Sequence, residues 1–456
     1  MKHIVIIICY LSLGFLLNAQ VWVTSADQSA LLQKNSILSG FASKDIPVIT
    51  INEKKTFQTI EGFGFSLTGG SAMLINGMKA ADKKLLLQEL FGKGEQSIGL
   101  SYLRISIGAS DLDSIVFSYD DLPAGETDES LSRFSLSADT INLIPVLQSI
   151  IKINPSIKIM GSPWSPPTWM KDNGKTKGGH LLPRYYDSYA RYFLKYILEM
   201  KKHAIVIDAI TLQNEPEHGG NNPSMLMTAD EQAKFIANYL GPLFEKQKIS
   251  TKIIAWDHNC NHPEYPITVL NNPAAKKYIE GSAFHLYNGN ISALSEVKNV
   301  HPDKKLYFTE QWTGSKGSFD GDFMWHVKNV LIGSLNNWSS VVLEWNLAND
   351  PAFGPHSPGG CTECKGALTI NGSSVERNVA YYIIAQASKF IDAGSVRLES
   401  TAITDLTNVA LLRPDGKIAV VVLNELNTTR DFAIQYRGKS IVASLKPNAA
   451  ASFVLE

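Results

Sequence analysis

Short apolar runs, most of them rich in β-branched and aromatic residues and with little polar alternation, recur eight times along the chain. They lie at 56–65, 100–107, 157–161, 209–213, 252–256, 281–286, 305–309 and 340–343. A run that is apolar on both faces predicts a strand covered on both sides, as in a parallel sheet. Helical patterns fall between them. Residues 79–91 carry apolar positions at helical spacing, Ser137 is a candidate cap for the next helix with Pro145 expected to kink it, and 186–202 follow. Thr228-Ala229-Asp230-Glu231 is a capping-box pattern ahead of a helix to about Gln247, and 322–336 and 375–390 follow the seventh and eighth runs. Eight strands alternating with helices predict an α/β chain folded as a (β/α)8 TIM barrel. An open doubly wound sheet is the rival, but the first strand–helix turn has no glycine-rich phosphate fingerprint.

The two ends read differently. From about residue 408 the pattern is all strand, at 408–413, 417–423, 431–436, 440–445 and 451–455, with Pro414-Asp415-Gly416 as a turn. This predicts an accessory antiparallel β-sandwich. Residues 21–51 hold short β-like pieces with no core of their own, so they are expected to join the C-terminal strands. The expected division is a signal peptide at 1–19, N-terminal sandwich strands at 20–55, the barrel at 56–392 and the C-terminal sandwich at 393–456. The leader is read from Lys2 and His3, the apolar run from Ile4 to Leu17 and the small residue Ala19. That run is short for a membrane span. Cys9 lies inside it, which argues against lipid attachment. Export, to the periplasm or outside the cell, is therefore expected, without stable membrane insertion.

Composition narrows the partners. With 44% hydrophobic and 19% charged residues and a formal net charge of −1, the 456-residue chain has no basic excess for nucleic acid. Cys361 and Cys364 form a C-x-x-C pair. A zinc site would need a second pair of ligands at matching spacing, and none is evident. A local disulfide fits an oxidising compartment; two free thiols are the alternative.

Active-site groups of a (β/α)8 barrel sit at the C-terminal ends of its strands. Those ends carry Ser110-Asp111, Trp164 and Trp169, Asn214-Glu215, Asp257-His258-Asn259, His285 and Tyr287, Glu310-Gln311-Trp312, and Glu344-Trp345-Asn346. Glu215 and Glu310 each follow an apolar strand directly, on strands four and seven across the barrel. Two carboxyls about 5–5.5 Å apart are what a retaining glycosidase needs. A lone strand-end glutamate is about as often a partner of the following helix. The aromatics tip the balance, because Trp164, Trp169, Trp312, Trp345 and Tyr287 cluster at one rim where sugar faces can stack; Trp169 is the weakest of these, better suited to docking its own loop. Asn214 is placed to hydrogen-bond a sugar 2-hydroxyl. Arg104, inside strand two, is expensive to bury unpaired and is expected beside the nucleophile, with a structural ion pair as the alternative. His285 is expected to bond a sugar hydroxyl or a catalytic carboxylate, or to be an ordinary core histidine.

At these residues the chain resembles glycoside hydrolase family 30. The matching pieces are Gly62-Phe63-Gly64-Phe65, Tyr102-Leu103-Arg104-Ile105 with Ser110-Asp111, and Ser162-Pro163-Trp164-Ser165-Pro166-Pro167-Thr168-Trp169. They continue with Asn214-Glu215-Pro216, His285-Leu286-Tyr287, Thr309-Glu310, Trp345-Asn346-Leu347-Ala348 and Ser388-Lys389-Phe390-Ile391. The resemblance implies a retaining glycosidase with Glu215 as acid/base and Glu310 as nucleophile. It implies that Asp111, Trp164, Asn214, His285, Tyr287 and Trp345 hold the first sugar, with Arg104 near the nucleophile and no cofactor or metal. Trp312 is expected as a further sugar platform. The stretch Gly359-Gly360-Cys361-Thr362-Glu363-Cys364-Lys365-Gly366 resembles the endo-β-1,6-glucanase branch of the family. Glucosylceramidase or exo-β-glucosidase is the alternative within the family. A xylan-directed enzyme ranks lower, for want of a basic site for an acidic side group, as does a non-catalytic carbohydrate-binding protein, because both glutamates are present.

Overall fold

The computed structural model describes residues 19–35 and 46–456. Nearly all of the proposed leader therefore lies outside the described residues. Eight parallel strands close into a barrel, in chain order Gly62–Ser66, Tyr102–Ser106, Lys158–Ser162, Ala209–Thr211, Lys252–Cys260, Ile279–Gly289, Lys305–Glu310 and Ser339–Asn346. Each predicted run contributes one strand. The first barrel strand is shorter than its run, since 56–59 end a separate twelve-residue strand, Val48–Thr59, that belongs to the sandwich. Gly64 is required in the first barrel strand, because a Cβ there would stand 1.8 Å from the carbonyl oxygen of Tyr102.

Helices follow the strands. The capping box at Thr228 and Glu231 forms, and the helix behind it runs over 229–247 with a π-helical stretch, Ile236–Leu240, in its middle. Two expectations fail locally. The helix after strand two starts at Leu143 with Asn142, not Ser137, at its cap position. Pro145 is then in the first turn, where it has no intrahelical hydrogen bond to lose and causes no kink. Residues 374–377 form a strand, Ser374–Arg377, and the last helix is Val379–Ser388.

The barrel interior is layered by the period-two alternation of its strands. Tyr102, Met160, Ala209, Ile254, Ala283, Tyr307, Val341 and Leu343 form a closed apolar cluster inside it. Two residues further along four of these strands stand Arg104, Ser162, Thr211 and Thr309, a polar layer just above the apolar one and just below the mouth.

The remaining strands make a nine-stranded sheet folded over its own core, which includes Val21, Val23, Ile49, Val420, Ile434 and Phe453. The first strand, Ala19–Ser25, pairs antiparallel with the last, Ala449–Leu455. Val48–Thr59 pairs with Val396–Ser400 and also with Arg430–Tyr436, the latter in parallel, so the sandwich is not wholly antiparallel. Gln386 on the last barrel helix joins the two parts, bonding Thr24 at 2.7 Å and Ser452 at 2.5 Å. Among the described residues no helix is long and apolar enough to cross a membrane.

Candidate active site

A backbone irregularity sets up the site. Strand five slips in register around Trp256 and Asp257, and both have positive φ, 73° and 80°. Glu215, in the loop just beyond strand four, also has positive φ, 48°. Such left-handed conformations cost of order 1–3 kcal/mol each in a non-glycine residue, and their strain concentrates at functional sites. The bulge turns Asp257 inward, fully buried beneath the mouth. Five groups converge on its carboxylate. Ser162 and Thr211 hydroxyls lie 2.7 Å from Oδ2 and Arg104 Nη2 lies 2.9 Å from it. Thr309 is 2.7 Å and His285 Nε2 3.1 Å from Oδ1. Burial alone would push Asp257 up, but Arg104, His285 and Ser162 hold it far below the ordinary carboxylate range. In the sequence Asp257 is a strand-end residue without a role, because its importance comes from a bulge that leaves no periodic signal.

Arg104 is wholly buried and spreads its guanidinium over the site. Nη1 donates to Glu310 Oε2 at 2.5 Å, and Nη2 donates to Asn214 Oδ1 at 2.6 Å. Its plane lies 4.9 Å from the ring of Trp164 and 5.7 Å from that of Trp345, within cation–π range. With Oδ1 taken by Arg104, the Asn214 amide keeps its NH2 for the pocket. Tyr287 donates to Glu310 Oε1 at 2.9 Å. His285, fully buried, has Nδ1 3.3 Å from Glu215 Oε1 and 3.7 Å from Glu310 Oε1. Both of its nitrogens thus face carboxylates, so the structure gives it a carboxylate partner and no free nitrogen for a sugar. The two distances put the carboxylate oxygens of Glu215 and Glu310 within about 7 Å of each other, a span that includes the ~5–5.5 Å retaining separation and excludes most of the ~6.5–9.5 Å inverting range.

The charge states follow from these neighbours. Burial pushes Glu310 up, and although His285 and Arg104 pull it down it stays above the ordinary carboxylate value. Burial pushes Glu215 up too, but the imidazoles of His258 and His285 outweigh it and hold it low. Burial disfavours the His285 cation, yet Glu310, Asp257 and Glu215 raise it to about 9. Asp111 is raised to about 7, by burial first and Glu310 next.

Above these groups opens a pocket of about 290 Å³. Asp111, Trp164, Asn214, Glu215, Tyr287, Glu310, Trp312 and Trp345 line it, joined by His218, Asn221, His258 and Asn259. The last four lie outside the expected set of site residues; His258 and Asn259 are at a strand end, whereas His218 and Asn221 lie in a loop with no recognisable signal in the sequence. Trp164 and Trp345 pack 5.3 Å apart on the floor. Cys361 and Cys364 are disulfide-bonded and form part of the wall, where the Cys361 N–H donates to Asp111 at 3.3 Å. Two strand-end residues face elsewhere. Trp169 bonds the Asp120 carbonyl at 3.0 Å and packs on Tyr185, docking its loop. Glu344 points away from the mouth to His326, 2.7 Å away in the helix Phe319–His326.

Two facing carboxylates over a floor of tryptophans, at the C-terminal mouth of a closed (β/α)8 barrel, define a glycosidase of the barrel type. Residues 60–391 match the model of the glycosyl hydrolase family 30 TIM-barrel domain and residues 394–453 that of the family 30 beta sandwich domain. The chain belongs to glycosyl hydrolase family 30 and is a retaining glycoside hydrolase. It is 37% identical over 396 residues to an endo-1,6-beta-D-glucanase of Aspergillus fumigatus, covering 80% of this chain and 78% of that one. It is 30% identical over 405 residues to the lysosomal acid glucosylceramidase of Mus musculus, covering 83% and 77%. Among solved structures it is similar to the endo-beta1,6-glucanase BT3312, with a TM-score of 0.89 and 33% identity over 96% of this chain and 98% of that one.

Proposed function

We propose that this chain is an exported endo-β-1,6-glucanase in which Glu310 is the nucleophile and Glu215 the acid/base. The observation that carries the roles is the unequal company of the two carboxylates. Glu310 Oε2 is held by Arg104 and Oε1 by Tyr287, which fixes its plane, and the Arg104 cation offsets part of the effect of burial on its charge. Oε1 is the attacking atom, since Oε2 is committed to the buried cation. Glu215 instead faces two imidazoles. With the pocket open, the acid's proton rests on the His285 side of the 3.3 Å contact. A sugar seated over Glu215 removes water from it, and burial is the largest influence raising its proton affinity. The proton then moves to Glu215 and on to the leaving oxygen. In the second half-reaction Glu215 takes a proton from water, which attacks the glycosyl–Glu310 ester and returns the sugar with its original configuration. Asp111, the Asn214 NH2 and the Trp164–Trp345 floor hold the first sugar, and Trp312 extends the platform beyond it.

The preference for β-1,6-glucan is supported by identities of 35–37% to three endo-1,6-beta-D-glucanases against 30% to the mouse glucosylceramidase, and by the disulfide-bonded wall after strand eight. Export is supported by the N-terminal pattern, and the sandwich is taken to comprise 20–55 and 393–456. The test is product analysis on β-1,6-glucan beside β-1,3-glucan, xylan, glucosylceramide and an aryl β-glucoside, with the first-formed anomer read by NMR. Oligosaccharides of β configuration from β-1,6-glucan are expected. Free glucose from glucosylceramide with the polymer untouched would sink the substrate assignment, and a first-formed α anomer would sink the mechanism.

A further inference from the structure

Glu215 belongs to a second constellation that glycoside hydrolysis does not require. His285 Nδ1 lies 3.3 Å and His258 Nδ1 3.5 Å from the same oxygen, Glu215 Oε1. One ligand atom from each of Glu215, His258 and His285 falls within 4.8 Å of the other two. A tetrahedral zinc ion with bonds of about 2.0–2.1 Å holds its ligand atoms about 3.3–3.4 Å apart, so the two measured separations match edges of such a tetrahedron.

The orientation of each ring fits the same use. His285 Nε2 is 3.1 Å from Asp257 Oδ1, and Asp257 is itself fixed by Thr309, Thr211 and Ser162. A histidine whose far nitrogen donates to an anchored carboxylate is the usual outer arrangement of a metal ligand, because it sets the tautomer and the ring direction. His258 is only 7% exposed, and its Nδ1 faces Glu215 Oε1 at 3.5 Å, too far for a strong hydrogen bond but in line for a shared ion. Two imidazoles and one carboxylate with an open fourth direction suit zinc among the divalent ions. Elsewhere His262 with Glu217, 2.5 Å apart, and His180 with Glu231, 3.2 Å apart, form two-ligand surface pairs.

We propose that Glu215, His258 and His285 bind one zinc ion, its fourth position opening on the pocket, and that zinc is a reversible inhibitor of hydrolysis. The ion occupies the oxygen with which Glu215 must carry its proton. Inhibition rests on Glu215 being the acid/base; binding does not.

The test is calorimetric titration of the whole mature protein with zinc chloride in chelator-free buffer, paired with hydrolysis of β-1,6-glucan at increasing zinc. One ion per chain is expected, with activity restored by EDTA and tetrahedral visible bands when cobalt(II) replaces zinc. His258→Ala should weaken binding at least about tenfold, because loss of an outer-shell partner alone commonly costs 10–100-fold. His262→Ala should leave zinc affinity unchanged. If His258→Ala does not fold by circular dichroism, Glu215→Gln is titrated in its place and should show the same loss. Absence of stoichiometric binding, or binding that survives both His258→Ala and Glu215→Gln, would overturn the site. Zinc bound as expected with hydrolysis undiminished would overturn its role as inhibitor. Zinc bound by a protein with no glycosidase activity in metal-free buffer would support the site while rejecting the hydrolytic roles.

Discussion

Replacing Arg104 with glutamine removes the one permanent cation from the polar layer beneath the mouth. Arg104 is wholly buried, 2.5 Å from Glu310 and 2.9 Å from Asp257, and also bonds Asn214 at 2.6 Å. Removing one partner of a buried ion pair commonly costs about 3–5 kcal/mol, since the other charge is left uncompensated. The kinetic effect has its own size. An adjacent arginine lowers a carboxylate pKa by about 1–3, so without it Glu310 must be more readily protonated. The acid limb of kcat/KM should move upward by about 1–3 pH units, and well below that limb the variant should be slower by roughly 10- to 1,000-fold. The deficit should narrow at high pH, where Glu310 is ionised in both proteins. Arg104→Lys keeps the charge but loses the fork that reaches several acceptors, and should fall between. The assay is kcat/KM on β-1,6-glucan from about pH 4 to about pH 9, with urea unfolding of each protein. A folded Arg104→Gln variant with wild-type stability and an unmoved acid limb would refute the electrostatic account.

Glu310→Ala should lower kcat by roughly 10⁴-fold or more with the fold intact by circular dichroism; substantial residual turnover would mean the nucleophile lies elsewhere. Glu215→Ala should cripple hydrolysis of β-glucan but spare glycosylation by an aryl glucoside whose phenol leaves without a proton; equal losses on both substrates would count against the acid role. Asp139 is buried, accepts from Tyr119 at 2.5 Å and is raised to about 7, mainly by burial. Its folded value exceeds its unfolded one, so its contribution is full below about pH 4 and is lost as pH rises through about 7, by up to roughly 4 kcal/mol. Asp139→Asn should abolish that loss, and parallel stability–pH curves for the two proteins would disprove it. Reducing the Cys361–Cys364 disulfide should raise KM more than it lowers kcat, because Cys361 holds Asp111 through its backbone N–H; an unchanged KM in dithiothreitol would show that the wall does not depend on the bond.

Much of the architecture was legible because parallel strands covered on both faces are simple to spell. Runs such as Lys305–Glu310 carry their polarity only at the ends, and those ends are where the chemistry sits. The capping box at Thr228 was legible for a similar reason, since two side chains at a fixed spacing, Thr228 and Glu231, make it. Boundaries that depend on which sheet a strand joins were not. Residues 56–65 look continuous, yet 56–59 pair in the sandwich with Val396–Ser400 while Gly62–Ser66 pair in the barrel. At the site, Glu215 and Glu310 were legible as strand-end carboxylates. The grouping of five partners around Asp257 was not, because they come from strands two, three, four, six and seven and meet only after the barrel closes. Glu344 shows the converse: it has the same local sequence character as Glu310, but the pleat turns it outward to His326.

The pairing of the first described strand with the last sets an order of events in time. Ala19–Ser25 is synthesised about 420 residues before Ala449–Leu455, which at roughly 5–20 residues per second is a wait of about 20–85 s. The barrel strands all emerge within that interval, while the early strand has a free edge toward its final partner. A chain stopped short of its last seven-residue strand would carry that unfilled edge permanently, with Val21 and Val23 beside it. Free edges of this kind invite pairing with other chains. Closure of the sheet therefore waits on Ala449–Leu455, and the two halves of the sandwich meet only after the barrel between them has been made.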